Sequence, residues 1–85
     1  MDPYKIIKYP LSTEKSIRLM ESQNKIVFIA DIDANKDAIK KAVEEMFKVK
    51  VENVKTYVRN GEKKAYVKFS KESPAMDIAT QMGLM

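Results

Sequence analysis

The stretch VENVKTYVRNGEKKAYVKF, residues 51–69, decides the fold because it predicts two β-strands folded on each other at Asn60-Gly61. Asn-Gly between two alternating runs is the strongest short-range signal for a β-hairpin. Both residues tolerate the positive φ angles that a two-residue primed turn requires. The sequence therefore predicts strands over VENVKTYVR and EKKAYVKF, paired as a hairpin.

The two faces of this hairpin differ in chemistry, because successive side chains of a strand point to opposite sides. One face is mainly apolar and suits a core: Val54, Thr56, Val58, Ala65, Val67 and Phe69. The other face carries cations interleaved with two aromatic rings: Lys55, Tyr57, Arg59, Lys64, Tyr66 and Lys68. Cations and rings on one sheet face suit a polyanion with stackable bases, so this pattern indicates a nucleic-acid surface.

The length and composition limit the remaining possibilities. The chain has 85 residues, which predicts one domain over 1–85, and its net charge of +4 fits either a nucleic-acid binder or an ordinary basic domain. It has no Cys and no His, which excludes a thiol nucleophile, a disulfide framework, a structural zinc site and a histidine base. The longest apolar run is IVFIA, and the start MDPYK is no signal peptide, so we expect a cytoplasmic protein without membrane insertion.

The segments around the hairpin predict five further elements. The extended start from Tyr4 to Tyr9, stopped by Pro10, predicts an edge strand. LSTEKSIRLMESQNK predicts a short helix capped by Ser12 or Thr13, and IVFIA predicts a central strand that is covered on both faces. At the other end, Ser73-Pro74 predicts the cap and first turn of a helix with an apolar stripe, and Gly83 ends it. The members of that stripe are Ala75, Ile78, Ala79 and Met82.

The clearest helix is predicted from Lys36 to Lys48, with Asn35 as its cap. Its apolar residues fall at steps of three and four, which makes one stripe for the core: Ile39, Ala42, Val43, Met46 and Phe47. Lys40 with Glu44 and Lys41 with Glu45 are four-residue pairs on the opposite side. We interpret Glu44 and Glu45 as part of a solvated face.

These elements predict an α/β (α+β) sandwich with a mixed, largely antiparallel four-stranded sheet of order 1-2-4-3 and a ferredoxin-like, split β-α-β character. A right-handed crossover through the central helix makes the second and third strands parallel, and the last strand inserts between them. The helix covers the apolar hairpin face. Part of the other face is expected to lie under the first or last helix, which leaves open whether Tyr57 or Tyr66 packs beneath it.

An enzyme is not expected from this sequence. The carboxylates are scattered, and Gly61 and Gly83 are too few for a phosphate-cradling loop. No cofactor, metal or small-molecule substrate is implied. A closer alternative is an RNA-recognition-motif domain, since AYVKF fits the end of that family's aromatic signature. However, Lys63 and Lys64 stand where glycine and an aromatic residue are expected, and that family needs another strand after the final helix.

A better resemblance covers the entire chain. PLSTEKSIRLME, NKIVFIADIDANKDAIKKAVEEMFKVKVENVKT and GEKKAYVKF resemble, in order and spacing, large-subunit ribosomal protein twenty-three. The closing GLM and the short start are similar to the archaeal branch of that family. Two features depart from the family: Lys55 replaces a common Asn, and the turn at Asn60-Gly61 is far shorter than the tunnel-reaching loop of bacterial members.

The resemblance implies a structural protein that binds the third domain of large-subunit rRNA, beside neighbouring ribosomal proteins. It also implies a place on the platform at the polypeptide exit tunnel, where signal recognition particle and nascent-chain chaperones dock. The expected rRNA contacts are Thr13, Lys15, Lys36, Lys40, Lys55, Thr56, Arg59, Lys63, Lys64, Tyr66 and Lys68. Glu14 matches the family's docking glutamate, although it also suits a helix start. A free-standing single-strand RNA binder and a module for an acidic protein partner remain alternatives.

Overall fold

The computed structural model describes the backbone of residues 3–81 and the side chains of residues 5–81. Its helices and strands, in chain order, are α1 (Pro3–Ile6), β1 (Ile7–Pro10), α2 (Glu14–Gln23), β2 (Lys25–Ala30), α3 (Lys36–Phe47), β3 (Val51–Arg59), β4 (Glu62–Phe69) and α4 (Ala75–Gln81). Within residues 3–81, no helix has the length and apolar character needed to cross a membrane.

The hairpin and the sheet order are confirmed. β3 and β4 have the predicted bounds, and the turn residues Asn60 and Gly61 have φ angles of 53° and 76°. The four strands form one sheet in the order β1-β2-β4-β3. All three neighbouring pairs are antiparallel. β4 lies between β2 and β3, which run in the same direction, so the sheet is antiparallel throughout and contains no parallel pair that would make it mixed.

The start of the chain departs from the expectation of a continuous edge strand. Tyr4 lies in the single turn of α1, and the edge strand begins only at Ile7. A proline at the first helical position loses no intrahelical hydrogen bond, so Pro3 suits a helix start. The carbonyl of Ile6, where α1 ends, accepts a hydrogen bond from the Asp31 N–H at 2.8 Å, which joins this turn to the end of β2.

The inner face of the sheet forms the core with α3. Register places Ile26, Val67 and Val54 side by side across three strands, and the next layer starts at Phe28. The Phe28 ring stacks on Phe47 of α3 at a centroid distance of 6.4 Å. The predicted stripe of α3 is confirmed, since it supplies the fully buried Ile39, Ala42 and Val43. The helix ends at Phe47, one residue before the predicted end, because Lys48 adopts a left-handed conformation.

Glu44 is not a solvated residue, contrary to the sequence interpretation. Its side chain is half-buried, and its Oε2 atom accepts a hydrogen bond from the backbone N–H of Val51 at 3.1 Å. Among the described side chains, Glu44 forms no ion pair with Lys40, and Glu45 forms none with Lys41. The carboxylate thus fastens the end of α3 to the start of β3.

The outer face of the sheet is partly covered, as the apolar character of β2 predicts. Val27 and Ile29 lie on this face by register, yet each is only 3% exposed. α2 contacts β2, and its Leu19 side chain lies over the same face. Leu19 of the first predicted helix therefore borders this face, whereas Met20 of the same helix belongs to the buried core cluster that contains Phe28.

α2 and α4 meet at Asn24, which follows α2 in a left-handed conformation. The Asn24 Nδ2 group donates to the carbonyls of Phe69 and Ser70, each at 3.1 Å. Its Oδ1 atom accepts from the Ala75 N–H at 2.6 Å. The cap of α4 therefore comes from Asn24, 51 positions away, and not from Ser73 as the sequence predicts. The predictions for Met82 and Gly83 lie outside the described residues.

Candidate nucleic-acid interface

An open cleft of about 590 Å³ lies on the outer face, between α2 and the β3–β4 hairpin. We call it the outer cleft. It is lined by Lys15, Leu19, Lys25, Lys55, Tyr57, Val58, Arg59, Lys64 and Tyr66. Ligand clefts in proteins commonly have about 300–1,000 Å³. The outer cleft is therefore large enough to hold part of a ligand and open enough to meet a large one.

The strand register brings these side chains together. Tyr66 of β4 lies between Val27 of β2 and Lys55 of β3, and Lys64 lies opposite Tyr57. Directly paired residues point to the same side of a sheet. The hairpin's basic and aromatic row therefore forms one continuous surface, as its period-two pattern predicts.

The two tyrosines of the outer cleft contact each other. The Tyr57 and Tyr66 rings are 5.4 Å apart at their centroids and are inclined at 83°, an edge-to-face arrangement. Tyr57 is 58% exposed, and Tyr66 is half-buried beside it. Neither ring is hidden beneath a helix, so both contribute to the surface of the cleft.

The charge of the outer cleft is of one sign. Five of its lining side chains are cationic, and no carboxylate from the described part of the chain lines it. Lys68 is set apart, because its Nζ atom lies 3.6 Å from the Glu52 carboxylate. Concentrated positive charge without compensating carboxylates raises the local concentration of polyanions.

Three of the sequence-predicted contacts have structural partners elsewhere. Lys63 lies on the inner face by register, and its ammonium donates to the Ala34 carbonyl at 2.6 Å. Thr56 lies half-buried in the inner-face layer that contains Phe28 and Ala65. The Thr13 hydroxyl caps α2 by accepting from the Ser16 N–H at 3.2 Å, and the Ser16 Oγ atom accepts from the Thr13 N–H at 2.8 Å.

Lys36 and Lys40 are exposed on α3, the helix that packs on the inner face. They are thus on the opposite side of the sheet from Lys55 and Lys64. The structure does not bring all the predicted cations together but divides them between two sides of the molecule.

Glu14 opens α2 with an exposed carboxylate. It pairs with the exposed Arg18 guanidinium at 3.0 Å, one helical turn away. An ion pair this exposed contributes little stability. The adjacent Lys15 lines the outer cleft, so the start of α2 presents Glu14 at the border of the cationic surface.

Four lining residues were absent from the expected rRNA contacts: Leu19, Lys25, Tyr57 and Val58. Tyr57 was expected on the basic and aromatic face, whereas Val58 was expected in the core and is instead 58% exposed near the hairpin turn. Lys25 pairs with Lys68 at the start of β2, so the alternation of that strand could have placed it on the outer face. Leu19 gave no comparable signal, because its position depends on how α2 packs on the sheet.

A protein-family comparison gives one further finding. The model of a family described as ribosomal protein L23 matches residues 5–80 of this chain. The match spans the sheet, α2, α3 and nearly all of α4, and it includes every residue of the outer cleft.

Proposed function

This chain belongs to the ribosomal protein L23 family, and on that premise we propose that it is a structural constituent of the large ribosomal subunit that binds large-subunit rRNA through the outer cleft. The observation that carries this proposal is the lining of the cleft, in which five cations surround two tyrosines. The site of action is then the cytoplasmic ribosome.

Phosphate neutralisation explains the affinity of such a surface. Lys and Arg that contact phosphates release condensed counterions, so binding weakens as the salt concentration rises. These contacts position the protein and carry little sequence information. Recognition then depends on the shape of the RNA and on unpaired bases, because proteins read RNA mostly in these two ways.

A filter-binding titration tests the proposal. The chain is expected to prefer a fragment of the third domain of large-subunit rRNA over an unrelated structured RNA of equal length, with a steep dependence on salt for both. Equal affinity for the two RNAs would remove the support for a ribosomal role.

We also propose that the protein forms part of the exit-tunnel platform, where Glu14 contacts signal recognition particle or a nascent-chain chaperone. Its exposed position at the start of α2, beside the RNA-binding cleft, supports this role. Ribosomes carrying Glu14→Lys are expected to bind such factors more weakly than wild-type ribosomes. Glu21→Lys, on the same helix and also exposed, is the matched control; an equal loss in both variants would argue against a specific docking role.

A free-standing single-strand RNA binder is the second candidate, favoured by the exposed tyrosine pair. It predicts tight binding to short unpaired oligonucleotides and no preference for rRNA. The comparison of rRNA with unrelated RNA therefore separates the two functions.

A further inference from the structure

The tyrosine pair in the outer cleft has a geometry that phosphate binding does not use. Tyr57 and Tyr66 are diagonal neighbours on β3 and β4, and their rings are nearly perpendicular. Phosphates require cations and hydrogen-bond donors, whereas the face of an aromatic ring suits another planar π-system. The pair therefore points to a ligand component other than the RNA backbone.

Tyr57 is largely open to solvent. Its side chain is 58% exposed, and its described aromatic contact is the edge-to-face contact with Tyr66. Because the two rings are perpendicular, a planar group stacked on one of them meets the other edge to face, which is a favoured aromatic arrangement. We call this pair of nearly perpendicular rings, Tyr57 and Tyr66, the aromatic corner.

Cations lie next to the aromatic corner on both strands. Lys55 is paired directly with Tyr66, and Lys64 is paired directly with Tyr57. Arg59 follows two residues after Tyr57 on the same face, and Lys15 closes the cleft from α2. If a base binds at the aromatic corner, the phosphate of that nucleotide and the phosphates of the adjacent nucleotides therefore lie close to positive charge.

We infer that the aromatic corner binds one unpaired base of the RNA, stacked on Tyr57 or Tyr66, while the surrounding cations hold the adjacent phosphates. Bases within a duplex have both faces covered by their neighbours, so only an unpaired or extruded base can stack on a side chain. This inference rests on the proposed rRNA-binding function and specifies which part of the RNA enters the cleft.

The test compares tyrosine variants on the rRNA fragment over a range of salt concentrations. Tyr57→Leu is expected to weaken binding about 5- to 150-fold, the range that corresponds to loss of one base–aromatic stack. The slope of log affinity against log salt should stay at the wild-type value, because no phosphate contact is lost. Tyr57→Phe keeps the ring and should bind within about twofold of wild type. Tyr9→Leu, a change at an exposed tyrosine of β1 outside the cleft, is the matched control and should have no effect.

Photo-cross-linking of the wild-type complex provides a direct readout. Mass spectrometry should find a nucleotide adduct on Tyr57 or Tyr66, at a nucleotide that chemical probing shows to be unpaired in the free RNA. An adduct confined to a base-paired nucleotide would contradict the inference.

The remaining outcomes separate this inference from the proposed function. If wild type prefers the rRNA fragment but Tyr57→Leu and Tyr66→Leu both bind like Tyr9→Leu, the stacked base is ruled out and the ribosomal role stands. If Tyr57→Leu lowers both the affinity for the rRNA fragment and the slope of log affinity against log salt, the inference is also wrong, because the substitution would then act through phosphate contacts. If wild type shows no preference for the rRNA, both proposals fail.

Discussion

Asn24 connects three elements of the structure through one side chain and one unusual backbone conformation. Its φ angle of 56° ends α2, and its Oδ1 atom caps α4. Its Nδ2 group donates to the carbonyls of Phe69, the last residue of β4, and of Ser70. Its backbone carbonyl also accepts from the Phe69 N–H at 3.1 Å. Asparagine is suited to this position because it tolerates the left-handed region better than other residues with a side chain.

Asn24→Ala is expected to lower the free energy of unfolding by about 2–4 kcal/mol, since it removes several partly buried hydrogen bonds and strains the left-handed backbone. Urea denaturation followed by circular dichroism measures the change. Asn24→Gly separates the two causes, because glycine relieves the strain but still lacks the amide. If Asn24→Ala lowers the free energy of unfolding by less than about 0.5 kcal/mol, the hydrogen bonds of the Asn24 amide contribute little to stability.

Lys63 and Lys64 are neighbours in sequence and lie on opposite faces of the sheet. The Lys63 ammonium is bound to the Ala34 carbonyl, whereas Lys64 lines the outer cleft. Their roles in RNA binding should therefore differ.

Lys64→Met is expected to reduce the salt slope of rRNA binding by about 0.7–0.9, the change for one lost phosphate contact. Lys63→Met should leave that slope close to the wild-type value, because its ammonium is committed to the protein. The measurement is rRNA affinity at four or more salt concentrations for the three proteins. If Lys63→Met and Lys64→Met reduce the salt slope equally, the Lys63 ammonium must break its hydrogen bond to the Ala34 carbonyl and contact RNA.

At the scale of elements, the hairpin turn depends on backbone conformation more than on packing. Gly61 has a φ angle of 76°, and a methyl group at its Cβ position would meet nothing within 4 Å. The glycine is therefore needed for its positive φ and not for space.

Gly61→Ala is expected to destabilise the protein by about 1–2 kcal/mol, the cost of a left-handed conformation for an ordinary residue. Thermal and urea unfolding measure this loss. Gly61→Asn should recover part of it, because asparagine accepts positive φ more readily. If Gly61→Ala and Gly61→Asn lower the free energy of unfolding by the same amount, the turn must have relaxed to another conformation.

At the scale of the whole molecule, the sheet separates two groups of basic residues. The outer cleft lies on one side, and Lys36 and Lys40 lie on α3 on the other side. An RNA segment bound in the cleft reaches the second group only if the RNA passes around the protein. The two groups should therefore contribute unequally to binding a compact RNA fragment.

The double variant Lys55→Ala/Lys64→Ala is expected to lower the salt slope by about 1.4–1.8, or two phosphate contacts. Lys36→Ala/Lys40→Ala carries the same loss of charge and is the matched control, with a smaller change expected on the same fragment. Filter binding over a salt series compares them. A larger decrease in salt slope for Lys36→Ala/Lys40→Ala would show that the main RNA-binding surface lies on the α3 side of the sheet.

The sequence by itself determined the features that depend on local chemistry and periodicity. The Asn60-Gly61 turn, the bounds of β3 and β4 and the apolar stripe of α3 follow from neighbouring residues. So does the division of the hairpin into an apolar and a cationic face, except at Val58, which is exposed near the turn. The 1-2-4-3 order followed from these elements, since few topologies satisfy right-handed crossovers and a hairpin together.

Only the tertiary structure decided which polar side chains serve the protein and which remain available to a ligand. Glu44 binds Val51, Lys63 binds Ala34, and Asn24 caps a helix 51 positions away. The packing of α2 likewise adds Lys15 and Leu19 to the outer cleft. The physical reason is that long side chains find hydrogen-bond partners through space, and distances between remote segments are fixed only when the helices pack on the sheet.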